Sequence, residues 1–267
     1  MSLVSIITTT IALSIIIALR YLMIAAIANR LFWGGAKGQP RGRQLNSQRP
    51  NAKTIRHEIV LSVVASPIYA FPAALALEGY KHGYTKLYLD PAAYGWWWLP
   101  VSAAIYLIVQ DTYYYWLHRG LHHRRIFKWA HIGHHISREP SPYASFAFDP
   151  AEAALTAWLL PALTLVVPIN LWVALTLLML MTAAAVFNHA GREIWPTSWL
   201  QNPFGRQMIT ATHHNAHHAQ FRQNYGLYLR LWDKLMGTDT SGIAASNVRP
   251  ALEGDPRTAL PPGTGHL

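Results

Sequence analysis

Cysteine is absent from the 267 residues. That removes disulfides, iron–sulfur clusters and thiol nucleophiles together, and leaves nitrogen and oxygen as the only ligands for a metal. Charge is also scarce: 13% of residues are charged, where a soluble domain carries about 25%. Acid is the scarcer sign, with 12 Asp and Glu against 22 Lys and Arg. No Gly-x-Gly-x-x-Gly segment and no haem or flavin fingerprint occurs, so electrons for any redox chemistry must come from outside the chain. No internal repeat is visible. What abounds is apolar: 52% of residues are hydrophobic, much of it in long uncharged runs. Such a composition excludes a disordered chain and points to a membrane.

Five runs stand out: Leu3 to Ala28, Glu58 to Tyr80, Trp96 to Leu117, Ala153 to Val167 and Leu171 to Phe187. The first is interrupted only by Arg20, expected to snorkel or to face neighbouring helices. It has neither the basic start nor the small-residue end of a cleaved leader, so it reads as a span. Pro67 and Pro72 in the second run are tolerable in a membrane helix. Trp96, Trp97 and Trp98 open the third as an interfacial belt. The fourth is short for a span and is expected to tilt or stop partway, joined to the fifth by a tight turn at Pro168-Ile169-Asn170. The expectation is an all-α membrane protein of four to five transmembrane helices, residues 1–240, followed by a Ser-, Gly- and Pro-rich tail over 241–267.

Between Arg30 and Arg56 lie seven Lys and Arg and no acid. Flanked by apolar runs, such a segment reads as a cytoplasmic loop rather than a nucleic-acid patch, and nucleic acid is not an expected partner. The N-terminus and residues 81–95 then lie outside, and residues 118–151 and everything after His189 lie inside.

Fourteen histidines are present, and ten of them crowd into residues 118–135 and 213–218. The first window holds an HxxxH, His118 and His122, then an HxxHH, His131, His134 and His135. The second holds another HxxHH, His214, His217 and His218. His189 stands alone at the inner end of the fifth run. Helical residues four apart share a face, so the outer histidines of HxxHH can serve one ion and the middle one a second ion beside it. Nine imidazoles are too many for one metal and suit two, held in a histidine-rich cap at the cytoplasmic edge. His123 and His213 fall off these faces and are not expected to bind metal, and His57, His82 and His266 read as surface residues. Imidazole alone does not choose among iron, copper, zinc and nickel.

Around these histidines run Asp111-Thr-Tyr-Tyr-Tyr-Trp116-Leu-His118-Arg119, Pro142-Tyr143-Ala144-Ser145-Phe146-Ala147-Phe148, Asn224-Tyr225-Gly226 and Trp232-Asp233 through Gly237-Thr238. With the three histidine motifs, they resemble the fatty acid hydroxylase / sterol desaturase superfamily of membrane non-haem di-iron enzymes over residues 96–240. The Pro142–Phe148 stretch is most similar to the C-5 sterol desaturase branch. Two departures concern ligands. Asp149 stands where that branch often has histidine, and Glu193 follows His189 where related hydroxylases carry a second histidine, so either carboxylate is a candidate ligand. Asp111 lies about 10 Å up the helix from His118, too far to share its metal. A carboxylate at that depth is expected to be functional, holding a ligand histidine, contacting the substrate head or bonding a neighbouring helix.

The resemblance implies two iron ions, replaceable by zinc in recombinant protein, with dioxygen as co-substrate. It implies a lipid monooxygenase or desaturase acting on an unactivated C–H position of a sterol, fatty acyl, carotenoid or amino-acid lipid. The basic inner face (Arg119, Arg124, Arg125, Lys128, Arg138) suits an acidic ferredoxin or cytochrome b5-type donor, and equally anionic lipid heads. The rival class is a non-enzymatic metal- or haem-binding membrane protein, which would place histidines mid-span rather than at the boundary. With no C-terminal retention address, the compartment reads as a bacterial inner membrane rather than endoplasmic reticulum.

Overall fold

The structure, a computed structural model, describes residues 1–34 and 41–240; the expected tail over 241–267 lies outside the described residues. In chain order the elements are α1 (Leu3–Trp33), β1 (Arg43–Gln44), α2 (Ala52–Lys81), β2 (Leu87–Tyr88), α3 (Trp98–Leu121), α4 (Phe127–Ala130), α5 (Ile132–His135), α6 (Pro150–Ala157), α7 (Leu159–Leu163), β3 (Ile169–Asn170), α8 (Leu171–Asn188), β4 (Arg192–Glu193), α9 (Thr197–Gln201), α10 (Ala211–Gln220) and α11 (Leu231–Leu235).

Among the described residues, three helices, α1, α2 and α8, are long and apolar enough to cross a membrane. Leu3, Ile7, Ile11, Ile15, Leu19 and Met23 leave one side of α1 greasy and exposed, as a lipid-facing surface requires. Its other side buries Tyr21, Ala25 and Ala28, and α2 buries Ala65, Ala70 and Ala74, small residues that let helix backbones approach. α2 runs unbroken through Pro67 and Pro72.

The expected four to five spans stand against three such helices, and the fourth apolar run, expected to tilt or stop partway, does not span. It folds as two short helices, α6 and α7, of eight and five residues; Pro161 lies in the second, and turns follow from Thr164. Thirteen helical residues cannot cross about 30 Å of hydrocarbon at about 1.5 Å each. α3 has the length, with 24 residues, but carries Asp111 and a polar–aromatic sequence. The joint at Pro168-Ile169-Asn170 is no bare helical hairpin either. Ile169 and Asn170 pair in parallel with Leu87 and Tyr88, docking the 81–95 loop.

Hydrogen bonds sort the helix ends into two faces. At one, Ser5 and Thr9 hydroxyls donate to Glu78 at 2.7 and 2.8 Å, and Trp98 Nε1 donates to the Pro168 carbonyl at 3.0 Å. At the other, Trp33 Nε1 donates to the Ala190 carbonyl at 2.8 Å. There β1 pairs antiparallel with β4, Arg43 opposite Glu193, so the basic loop lies against the segment that follows α8. This second face carries all the clustered histidines. Among the described residues, Lys81 and Lys86 are the Lys and Arg side chains at the opposite face.

Candidate metal centre

The ends of α3 and α8 converge with α5 and α10, and nine histidine nitrogens meet there in two groups. His118, His122, His131, His135 and His217 form one; His134, His189, His214 and His218 form the other; within each, the ligand atoms lie within 4.8 Å of one another. Each HxxHH serves both groups. His131 and His135 go to the five-membered group while His134 goes to the four-membered one; His214 and His218 join the latter and His217 the former. Four-residue spacing on a helix produces this division, because the outer pair share a face and the middle ring points aside. α10 is the better-formed carrier, ten residues long with a Thr210–His213 capping box.

The ring tautomers show what the groups are for. The Nδ1 atoms of His118, His134, His189, His217 and His218 lie 2.7–3.2 Å from the carbonyls of Tyr225, Ala147, Ala185, Gln223 and Ser137. A carbonyl only accepts, so each Nδ1 carries the hydrogen and each Nε2 keeps a bare lone pair. Burial holds His134, His217 and His218 well below the usual imidazole range, and His189 down at about 4, so these rings are neutral.

Yet the Nε2 atoms crowd together: His118–His131 and His131–His135 at 3.1 Å, His135–His217 and His214–His218 at 3.2 Å, His189–His214 at 2.8 Å, His134–His189 at 3.5 Å. With metal–nitrogen bonds of about 2.0–2.1 Å, neighbouring ligands stand roughly 2.8–3.4 Å apart from octahedral to tetrahedral angles. The observed edges match that polyhedron. His122 Nε2 is buried without a hydrogen-bond partner in the protein, as a nitrogen kept for a cation would be. The donor set fits two transition-metal ions.

Two candidate carboxylate ligands, Glu193 and Asp149, bond elsewhere than in either group, and Asp111 takes one of its expected roles. Glu193 belongs to neither group. Its Oε2 accepts from the Thr210 and Thr212 hydroxyls, both at 2.7 Å, and from Thr212 N at 3.1 Å; Oε1 accepts from Trp195 N. It therefore anchors the start of α10. Helical spacing from His189 fails because α8 stops at Asn188 and Gly191 turns left-handed at φ +64°. A Cβ at Gly191 would collide with the Asn46 side chain, so the tight turn needs glycine. Asp149 is likewise occupied: its Oδ2 accepts from Gly133 N at 2.7 Å, bracing the segment between His131 and His134.

Asp111 contacts neither a ligand histidine nor either group. Its Oδ1 accepts from Tyr228 N at 2.8 Å and Leu229 N at 3.1 Å, the neighbouring-segment alternative among its expected roles. That segment supplies the Tyr225 carbonyl to His118. Asp233 fastens it at the other end, accepting from Tyr225 N and Gly226 N at 2.8 Å and from the Thr238 hydroxyl at 2.7 Å. Asp233→Ala should therefore cost about 3 kcal/mol, since several buried donors lose a charged acceptor. A thermal unfolding midpoint equal to that of the parent protein would contradict this.

Of the discounted histidines, His123 is exposed and His213 is buried but belongs to neither group; its Nδ1 faces Thr210 N at 3.2 Å. His57 is no plain surface residue: its Nε2 lies 2.9 Å from the Gly133 carbonyl. Sequence reasoning passed over Glu152, fully buried with Oε2 2.7 Å from His131 Nδ1. An acid in the first turn of an apolar run carried no motif to mark it. On the membrane side of the centre, Tyr114 lies against His118 with ring centroids 5.2 Å apart and Phe148 against His134 at 5.5 Å. Tyr69 and Phe146 continue this aromatic wall.

Comparison with known proteins bears on the same stretch of chain. Lathosterol oxidase of Mus musculus is 35% identical over 186 residues, covering 69% of this chain and 60% of its own. The Homo sapiens lathosterol oxidase is 36% identical over 187 residues, with the same coverage. A Delta(7)-sterol 5(6)-desaturase of Gibberella zeae is 30% identical over 184 residues, 69% of this chain and 55% of its own. The chain thus spans about 60% of the length of the mammalian relatives it matches. These relatives fall in the C-5 sterol desaturase branch that the Pro142–Phe148 stretch resembles. No solved structure matches. The fatty acid hydroxylase family profile matches residues 103–238, a stretch that includes all nine converging histidines and the Asp111 and Asp233 anchors, and the chain belongs to that family.

Proposed function

We propose that this chain is an oxygen-dependent oxidoreductase that desaturates or hydroxylates an unactivated C–H position of a membrane lipid at a di-iron centre. The observation that carries the reading is the convergence of nine imidazoles, in groups of five and four, beside an aromatic wall at the end of lipid-facing helices. A zinc hydrolase needs three or four ligands, not nine. A bound iron pair would supply the activation of dioxygen. Carbonyl acceptors fix the ring tautomers, the buried setting excludes bulk water, and Tyr69, Tyr114, Phe146 and Phe148 offer an apolar approach from the membrane. Dioxygen carries more oxidising equivalents than either outcome consumes, so an external donor must deliver electrons. Exposed Arg119, Arg124 and Arg125 on the histidine face suit an acidic ferredoxin or cytochrome b5-type partner by steering.

The relatives' names favour a sterol-type polycyclic lipid and removal of two hydrogens over insertion of oxygen. Lipid mass spectrometry of cells with and without the protein tests this, with a product two mass units lighter than its precursor expected. A product sixteen units heavier would instead assign hydroxylation, and no altered lipid at all would remove the activity. The relatives come from mammals, fungi and plants, so the leaning toward a bacterial membrane gains nothing from them.

The reading also places the histidine face in the cytoplasm, because basic residues gather there. With no native cysteine to interfere, a cysteine introduced at Tyr84 should react with a membrane-impermeant reagent in sealed cells. One at Arg124 should stay silent until the membrane is opened. The reverse pattern would invert the topology.

A further inference from the structure

Glu152 is, among the described residues, the one carboxylate that hydrogen-bonds a histidine of either group. It stands in the first turn of α6, and neither its side chain nor that of His131 has any exposed surface. Its Oε2 lies 2.7 Å from His131 Nδ1, while its Oε1 is buried without a partner. In the four-histidine group, the Nδ1 acceptors of His134, His189 and His218 are all backbone carbonyls. In the five-histidine group, His118 and His217 also use carbonyls. Only His131 has a carboxyl acceptor, and its Nε2 lies 3.1 Å from the Nε2 atoms of both His118 and His135.

We propose that Glu152 is a positioning residue that makes the two metal positions electronically unequal. It holds His131 in the Nδ1–H form, and its charge makes His131 the strongest nitrogen donor of the five-histidine position. The physical ground is the cost of its placement. A carboxylate removed from water with one oxygen unpaired is expensive unless positive charge lies close. Among the described residues no Lys or Arg side chain supplies it. A cation held by His131, one imidazole away, does, and the carboxylate offsets part of that cation's charge in return. A carboxylate behind a ligand imidazole raises its basicity, and losing such a partner typically weakens metal binding about 10- to 100-fold. The four-histidine position has no equivalent partner, so the effect falls on one metal of the pair. The inference rests on the dinuclear reading above.

The test uses the full chain in detergent, loaded with iron and titrated with a competing chelator, the metal retained per chain being measured by elemental analysis. E152Q keeps an acceptor for His131 and removes the charge. It should weaken one of the two metals by about 10- to 100-fold and leave the other as in the native chain. In Mössbauer spectra of protein loaded with isotopically enriched iron, one signal of the pair should move and the other stay. E152D, which restores the charge at shorter reach, should fall between native and E152Q, and it carries the test if E152Q does not accumulate. A double variant with H131A should hold metal no worse than H131A alone, since the carboxylate acts through that ring. Native affinity at both positions in E152Q, weaker binding by E152D than by E152Q, or additive losses from E152Q and H131A would each overturn the proposal. A native chain that binds one metal or none would instead overturn the dinuclear reading, a separate failure.

Discussion

Replacing His131 or His217 with alanine should abolish lipid oxidation, by more than about 100-fold if loss of a ligand exceeds the loss of a ligand's own partner. His131 Nε2 sits 3.1 Å from two other ligand nitrogens, and its removal also strands Glu152 as a buried, unpaired acid. His217 carries the five-membered group onto α10 through its 3.2 Å approach to His135. The controls come from the same windows. His123→Ala should keep nearly full activity, because this exposed ring makes only a 3.4 Å contact with Arg125 N. His213→Ala should keep activity per metal-loaded chain but lose about 1 kcal/mol of stability with its part in the α10 capping box. The four variants are compared at equal membrane abundance, since destabilisation alone can silence any of them. Equal loss from all four would mean the ligands are wrongly assigned, and full activity in both ligand variants would remove the mechanism.

Stripping the metals should destabilise the protein more than any single substitution above. Bare nitrogens held 2.8–3.5 Å apart repel one another without a cation, and because the unfolded chain lacks the site, metal-binding free energy on the order of 10 kcal/mol adds to folding stability. Thermal unfolding in detergent, before and after chelation, reads this as a large fall in midpoint. Zinc should then restore the midpoint but not lipid oxidation, because imidazole sites accept it readily and it has no redox chemistry. Iron should restore both. An unchanged midpoint after verified metal removal would show that the histidines are satisfied without an ion. Lipid oxidation by a zinc-loaded, iron-free chain would remove the redox role altogether.

The histidine groups were legible because their information is local. Four-residue spacing on a helix holds wherever the helix is placed, so His118 with His122, His131 with His135 and His214 with His218 could be paired from the chain alone. Glu193 was a candidate only by resemblance, at the same four-residue offset from His189, and the offset does not carry over. It presumes a continuing helix, and α8 ends at Asn188 before a left-handed glycine turns the chain. The fourth apolar run was a matter of degree: its composition suits a membrane, but whether a short run spans or breaks depends on what packs around it, and here it breaks into α6 and α7.

Sequence by itself determined the membrane setting, the absence of thiol chemistry, the basic face and the two-metal capacity. Each follows from composition or from a spacing of about one helix turn. Tertiary structure alone decided which acids do what. Asp111 reaches across 117 residues to Tyr228, Glu152 reaches back 21 to His131, and Glu193 forward 17 to Thr210. A buried carboxylate takes its role from the donor it meets, and no pattern along the chain encodes a donor that only folding brings within 3 Å.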